Sequence, residues 1–313
     1  MPLFSVIIPL YNKAMYIQET IESVLQQRFT DFEIIVVNDA STDESVQLVK
    51  NISDPRISII ENPQNLGLSA TRNVGISHAS GTVIALLDAD DIWLPNYLKT
   101  IKHLYETFPE ASLYGTDYSE IYTSNEAIAP KKNISSALKG TAFVVPDFFE
   151  ANMFQPIFNP SCLAFKKSIC SDGNFFNPKI TFSEDIDFYI KYGSKHKVAY
   201  HYEALVSMRF AVPNQMTRSS ISQKTLPDLD RYEDLATENH SLKKFLDLYR
   251  YIYASLYYIE NAIPQKNKML KHIVYSNLTW KQRLLLKSPR FVILFVKKIK
   301  ELLLKLNVKV TSF

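Results

Sequence analysis

Phe4-Ser5-Val6-Ile7-Ile8-Pro9-Leu10-Tyr11-Asn12 opens the chain with a short apolar run that ends abruptly in polar residues. Residues 4–9 are continuous and rich in β-branched side chains, the pattern of a strand buried on both faces. Residues 14–27 follow with Ile17, Ile21, Val24 and Leu25 on one helical face. The alternation then repeats. Strands are expected over 32–37, 57–60 and 83–87, and helices over 41–52, 69–79 and 95–108. Ser41 or Thr42 reads as the N-cap of the second helix, with Asp43 and Glu44 in its first turn. Pro95 opens the fourth. Four βα units in series imply a mostly parallel, doubly wound α/β sheet, in which ligands lie at the C-terminal ends of the strands.

The residues at those ends carry the chemistry. The first strand is followed by Pro9-Leu10-Tyr11-Asn12, the second by Asn38-Asp39-Ala40-Ser41 and the fourth by Asp88-Ala89-Asp90-Asp91. With seven glycines in the chain and neither GxGxxG nor GxxxxGK[ST], no glycine-rich phosphate cradle exists. A bound nucleotide would need its phosphates neutralised by other means, and a divalent cation on carboxylates supplies one. Three carboxylates directly after a buried strand are costly unless something positive meets them. Asp88 and Asp90 suit a divalent ion and a ribose hydroxyl. The plainer alternative is a solvated turn in which Asp91 caps the next helix.

The chain has 313 residues, 46% hydrophobic and 21% charged, which is the profile of a folded globular protein. Its two cysteines, Cys162 and Cys170, exclude a four-thiolate zinc site, and the six histidines show no ligand spacing. A reduced, cytoplasmic setting is the simplest expectation. The N-terminus reads as a buried strand and not a signal peptide, and no apolar stretch is long enough to span a bilayer. Residues 281–313 hold nine basic residues and one acidic residue, a charge of +8, so the preceding part carries −5 of the overall +3. Such a tail suggests an anionic partner. Strands are expected at 112–118, 120–122, 161–165, 197–200 and 205–210, a polar loop at 125–139, and a short helix at 182–192. Beyond Pro213 the chain reads as helical: a tyrosine-rich stretch over 229–263 broken by Pro264, then 269–286 and 289–306.

Four segments together resemble the family-2 glycosyltransferases. They are Ser5-Val6-Ile7-Ile8-Pro9-Leu10-Tyr11-Asn12, Asn38-Asp39-Ala40-Ser41-Thr42-Asp43, Asn65-Leu66-Gly67-Leu68-Ser69-Ala70-Thr71-Arg72-Asn73-Val74-Gly75, and Leu87-Asp88-Ala89-Asp90-Asp91 with Trp93 and Pro95. They occur in order and at the family's spacing over residues 4–210. The resemblance implies a GT-A catalytic domain over 1–215 with a C-terminal helical region over 216–313. It also implies inverting, metal-dependent transfer of a hexose or N-acetylhexosamine from a UDP-sugar. In that scheme Pro9, Tyr11 and Asn12 line the base and ribose pocket, and Asp39 accepts from the imide N–H of the base. Arg72 reaches toward a phosphate or pairs with Asp39 or Asp88. Asp88 and Ala89 meet the ribose side, and Asp90, with Asp88, holds Mn²⁺ or Mg²⁺. In Phe182-Ser183-Glu184-Asp185-Ile186-Asp187-Phe188 the family places its general base. Asp185 is the first choice and Glu184 the orienting or second one, although acids also decorate ordinary helix N-termini.

Two departures qualify the resemblance. Asn38 stands where many relatives have aspartate, and Arg209-Phe210-Ala211 lacks the histidine of the family's Arg-x-His. His201, ten residues earlier, reads as a satisfied strand-end residue. Gln215-Met216-Thr217-Arg218-Ser219 has serine where processive synthases carry tryptophan, so one sugar per encounter is expected. The acceptor would be a bacterial surface glycan, free or lipid-linked, and not a nucleic acid. Residues 289–306 alternate apolar residues with lysines at helical spacing, which suits either an anionic membrane surface or a bundle or homodimer interface. A catalytically silent sugar-nucleotide or glycan-binding module and a nucleotidyltransferase are the competing readings. The intact carboxylates speak against the first and the glycine-free first loop against the second.

Overall fold

A computed structural model describes residues 1–122, 127–170, 173–210, 212 and 220–305. The N-terminal half alternates as its apolar runs predict: β1 (Phe4–Leu10), α1 (Ile17–Leu25), β2 (Phe32–Asn38), α2 (Ser45–Lys50), β3 (Ile57–Glu61), α3 (Leu68–His78) and β4 (Val83–Leu86). It continues through β5 (Ile92–Trp93), α4 (Tyr97–Thr107), β6 (Ala111–Ile121), β7 (Ala127–Ile128), β8 (Ala142–Val144), α5 (Phe148–Ala151), β9 (Leu163–Lys166), α6 (Glu184–Gly193) and β10 (Lys197–Arg209). One ten-stranded sheet has the order β3-β2-β1-β4-β9-β6-β10-β5, with β7 on β6 and β8 on β10. The first four strands pair parallel, as the βα alternation requires, and their C-terminal ends share one edge. β9 inserts antiparallel between β4 and β6, and β6 pairs parallel with β10. This α/β sheet flanked by helices is the expected fold class.

Where prediction and structure differ, the cause is local. Residues 112–118 and 120–121 belong to one strand, β6, which runs unbroken through Ser119 and carries the buried Asp117 and Glu120, while Tyr122 lies beyond its end. Residues 197–200 and 205–210 join as β10, because the polar His201 and Glu203 are absorbed by shifts in register against β6 and not by a loop. Helix α2 starts at Ser45, so neither Ser41 nor Thr42 caps it. Asp43 Oδ1 accepts from Ser45 N at 3.0 Å instead.

The C-terminal part holds α7 (Glu233–Thr237), α8 (His240–Ile259), α9 (Ile263–Leu270), α10 (Trp280–Lys287) and α11 (Arg290–Lys305). Pro264 lies in the first turn of α9, where its missing N–H costs nothing. The helix expected over 269–286 is two pieces, and a capping box between Thr279 and Gln282 starts the second. The boundary expected at 215/216 and the Gln215–Ser219 stretch fall outside the described residues. On α8, Leu242, Phe245 and Tyr253 enter the same apolar core as the sheet, so much of the tyrosine-rich stretch is core. A buried charge network fastens these helices. Arg250 meets Asp230, Glu233 and Asp247, while Lys243 meets Glu233 and Asp247 at 3.0 Å each. Tyr232 donates to Asp187 Oδ1 at 2.7 Å, which ties this region to α6.

Gly115 marks the tightest point of the β6 packing. A Cβ there would stand 2.3 Å from Phe158 Cδ1, in a wholly buried ring. Gly115→Ala should therefore lower unfolding stability by about 1–3 kcal/mol, measured by urea titration.

Candidate active site

The C-terminal ends of β1, β2 and β4 lie at one edge of the sheet, and Arg72 links that edge to the N-terminus of α6. The loop after β1 comes first. Pro9 is buried within the strand, whereas the Tyr11 ring is 45% exposed, an aromatic face open to a ligand. Asn12 has a left-handed backbone with φ 51°. Its side-chain oxygen accepts from Thr42 N at 2.8 Å and its own N–H donates to Ser41 Oγ at 3.1 Å. Asn12 thus pins the first loop to the second. Asn38, in place of the family's aspartate, accepts from Ser41 N at 3.0 Å, which needs no charge.

Asp39 is buried and its carboxylate organises the third loop. Oδ1 accepts from Asn62 Nδ2 and Leu66 N, both at 2.8 Å, and Oδ2 accepts from Gly67 N at 2.9 Å. Gly67 sits at φ 85°, a conformation that favours glycine, and this turns its N–H toward the acid. Part of the accepting capacity of Asp39 thus serves the fold.

Arg72 is the centre of the site. It rises from the first turns of α3 and is almost wholly buried. One guanidinium nitrogen donates to Asp88 Oδ1 at 2.7 Å and the other to Glu184 Oε1 at 2.8 Å. Burial opposes its charge, yet the carboxylates of Asp88 and Glu184 outweigh that and raise its pKa. Of the partners expected for Arg72 in the protein, Asp88 is met and Asp39 is not. Its guanidinium also lies 5.3 Å from the Phe176 ring centroid. Asp88 and Glu184, far apart in sequence, are joined through one cation.

Asp185, next to Glu184, keeps part of its surface open. Burial, then the charge of Glu184, push its carboxyl up to about 7, with Arg72 pulling the other way. Ser183, just before, takes a left-handed conformation at φ 61°, which sharply reverses the chain where α6 begins. The N-terminus of α6 favours both acids through its dipole. Tyr249 of α8 lies near enough for the charge of Asp185 to act on its phenol, whose pKa burial already raises.

The Asp88–Asp91 turn divides its labour. Asp90 is buried and paired with Lys13 Nζ at 2.7 Å. Burial raises its pKa and Lys13 works against that rise. The Ala89 carbonyl accepts from Thr20 Oγ1 at 3.1 Å. Asp91 is no helix cap: it accepts from Ser161 Oγ at 2.5 Å and from Arg209 N at 3.0 Å, tying the turn to the segment before β9 and to the end of β10. Burial, then the charges of Asp90 and Asp88, raise its pKa well above the ordinary value. Arg209 also donates to the Asp90 carbonyl at 3.3 Å and to Glu19 Oε2 at 2.5 Å. The sequence reading had no role for Lys13. It follows Tyr11-Asn12 directly but lies 77 residues from Asp90, and only the parallel pairing of β1 with β4 brings them together. His201 lies inside β10, with Glu203 3.7 Å away, and so is not a strand-end residue. Ala211, the position of the missing family histidine, is outside the described residues.

Among the described residues no three His, Cys, Asp or Glu side chains gather as a metal cage. Asp90 with Asp88 fits the other mode of binding Mg²⁺ or Mn²⁺, one or two carboxylates completed by substrate phosphates. Within the chain Asp90 is matched by Lys13 and Asp88 by Arg72.

Comparisons with known proteins agree with this architecture. The sequence model described as Glycosyl transferase family 2 matches residues 5–171, more than half the chain. A Haemophilus influenzae protein named as an uncharacterized glycosyltransferase is 33% identical over 212 residues, 66% of this chain and 65% of that one. The Escherichia coli UDP-Glc:alpha-D-GlcNAc-diphosphoundecaprenol beta-1,3-glucosyltransferase WfaP is 34% identical over 142 residues, 44% of this chain and 57% of that one. The chain thus spans less than two thirds of the length of these curated relatives. The crystal structure of S. aureus TarS 1–349 in complex with UDP-GlcNAc superposes with a TM-score of 0.59 at 18% identity, covering 84% of this chain and 88% of that chain. At that identity the likeness is one of fold.

The Arg72 bridge predicts a stability effect. Arg72→Met leaves Glu184 buried without its cation and should cost about 3–5 kcal/mol in urea unfolding. Adding Glu184→Gln should recover part of that loss, so the two changes are not additive.

Proposed function

The chain belongs to glycosyl transferase family 2, and from that membership together with the geometry of the site we propose that it is an inverting glycosyltransferase. The reading is transfer of a hexose or N-acetylhexosamine from a UDP-sugar to a glycan, free or lipid-linked, in the synthesis of a bacterial surface polysaccharide. The observation that carries it is the Arg72 bridge. It fixes Asp88 on the nucleotide side against Glu184 on the α6 side, and beside Glu184 stands Asp185 with a pKa near that of a working base. The names of WfaP and of the TarS complex, which specify UDP-Glc and UDP-GlcNAc for those proteins, support UDP as the carrier.

In this reading the Tyr11 ring stacks on the base and Asp39 accepts from its imide N–H through the remaining lone pairs of Oδ2. Pro9 and Asn12 shape the ribose end, and Asp88 with the Ala89 backbone contacts the sugar side of the nucleotide. A divalent cation held by Asp90 and Asp88 would offset charge on the departing diphosphate. Asp185 takes the proton of the acceptor hydroxyl. The acceptor oxygen forms its bond to the anomeric carbon from the face opposite the diphosphate, and the bond to the diphosphate breaks with its electron pair leaving on UDP. Arg72 anchors the start of α6 through Glu184, the neighbour of Asp185. One base on one face and no covalent nucleophile give inversion.

Asp185→Asn should leave UDP affinity within a factor of about 2 and lower kcat by roughly 10²–10⁴-fold, the range for loss of a general base. Transfer by Asp185→Asn at the unaltered rate would dismiss the assignment. The wild-type rate should rise about tenfold per pH unit below pH 7 and level off above it, because only the ionised carboxylate accepts the proton and its pKa is about 7. Asp90→Ala should weaken UDP binding in the presence of Mn²⁺ and leave metal-free binding little altered, as read by titration calorimetry.

A further inference from the structure

We propose that helices α10 and α11 form a docking surface for an anionic lipid bilayer, on which the protein lies without spanning it. Between Glu260 and Glu301 the chain has ten basic residues and no acidic one. Over residues 280–302, which take in Glu301, it exposes large apolar side chains: Trp280 at 65%, Phe291 at 71% and Phe295 at 63%, with Leu284, Ile299 and Leu302 likewise exposed. Positions 291, 295, 299 and 302 fall on one stripe of α11, while Ile293 on the opposite side is buried and the helix packs on α8. Trp280 and Leu284 are one turn apart on α10. Lys281, Arg283, Lys287 and Lys298 flank these apolar residues and are exposed, with Lys281 Nζ 5.8 Å from the Trp280 ring centroid. Among the described residues no acid pairs with Arg283 or Lys287. Six large apolar side chains left in water on adjacent helices mark a surface built to be covered.

Charge decides what covers it. A second copy of the chain would press a stretch of ten basic and no acidic residues against its own kind. A nucleic acid would use the cations and the aromatic faces but leave Leu284, Ile299 and Leu302 wet. A bilayer takes the apolar side chains at its acyl boundary and brings phosphates to the flanking cations. No helix among the described residues is long and apolar enough to cross a membrane, so attachment is interfacial. The inference goes beyond the transfer reaction. It rests on that reading only for its purpose, which is to bring the site to a lipid-carried acceptor.

The chain has two tryptophans and Trp93 is buried, so emission changes on vesicle addition report on Trp280. The full chain should float with vesicles of equal parts phosphatidylglycerol and phosphatidylcholine, with a blue shift in emission. Binding should be roughly tenfold or more weaker on phosphatidylcholine alone and should fall as salt rises. Phe295→Ser with Leu302→Ser should weaken vesicle binding roughly tenfold or more, with UDP affinity unchanged. Several results would overturn the proposal: a folded chain indifferent to both vesicle types; a double variant that binds vesicles as the wild type does; an oligonucleotide that shifts Trp280 emission at lower concentration than lipid; or a dimer, seen by ultracentrifugation, that Phe295→Ser dissolves in a chain without lipid affinity. Vesicle binding by a chain that fails to bind UDP supports the docking surface and counts against the transferase reading alone.

Discussion

A single buried guanidinium holds the site together. Arg72 is held between Asp88 and Glu184, and each of those acids stands at the end of a different structural unit, one after β4 and the other at the start of α6. Removing a cation from water is costly, and two carboxylates in direct contact offset that cost only while both remain in place. The relative position of the turn after β4 and the start of α6 is therefore set by electrostatics and not by loop packing alone. Around this bridge the other polar groups have narrower tasks. Asp39 gathers the 62–67 loop, Asn12 links the first two loops, and Asp91 locks Ser161 and the end of β10 to the turn.

The C-terminal helices take part in this arrangement. Tyr232 bonds Asp187 on α6, Tyr249 lies within the electrostatic reach of Asp185, and α8 contributes to the main core. The Arg250 and Lys243 network then makes α7 and α8 rigid from the other side. The outer helices α10 and α11 share little of this core, and there the chain concentrates positive charge and exposed apolar area.

The parallel half of the fold was legible because β1, β2 and β4 are buried on both faces, and burial of that kind leaves unbroken apolar runs. β6 and β10 read as broken strands, at Ser119 and over 201–204, where polar residues interrupt the apolar pattern. Those groups are accommodated by tertiary contacts and register shifts that a linear pattern does not carry. Pro264 was read as a stop and is a start, since proline ends one helix and opens another with equal ease. In the site, every carboxylate of interest was visible as a residue at a strand end or helix start. Their partners were less so. The Arg72–Asp88 pair, 16 positions apart, is among the expected ones, whereas Lys13 against Asp90, Ser161 against Asp91 and Arg72 against Glu184 join residues 70 to 112 positions apart. Such pairs are written by topology, not by local spacing.

The contact between Lys13 and Asp90 balances charge within the acidic turn. Under the proposed function a divalent ion taken up at Asp90 would have to release Lys13, and the freed ammonium would then be available to the diphosphate. Ion and nucleotide would thereby depend on one another thermodynamically through a lysine.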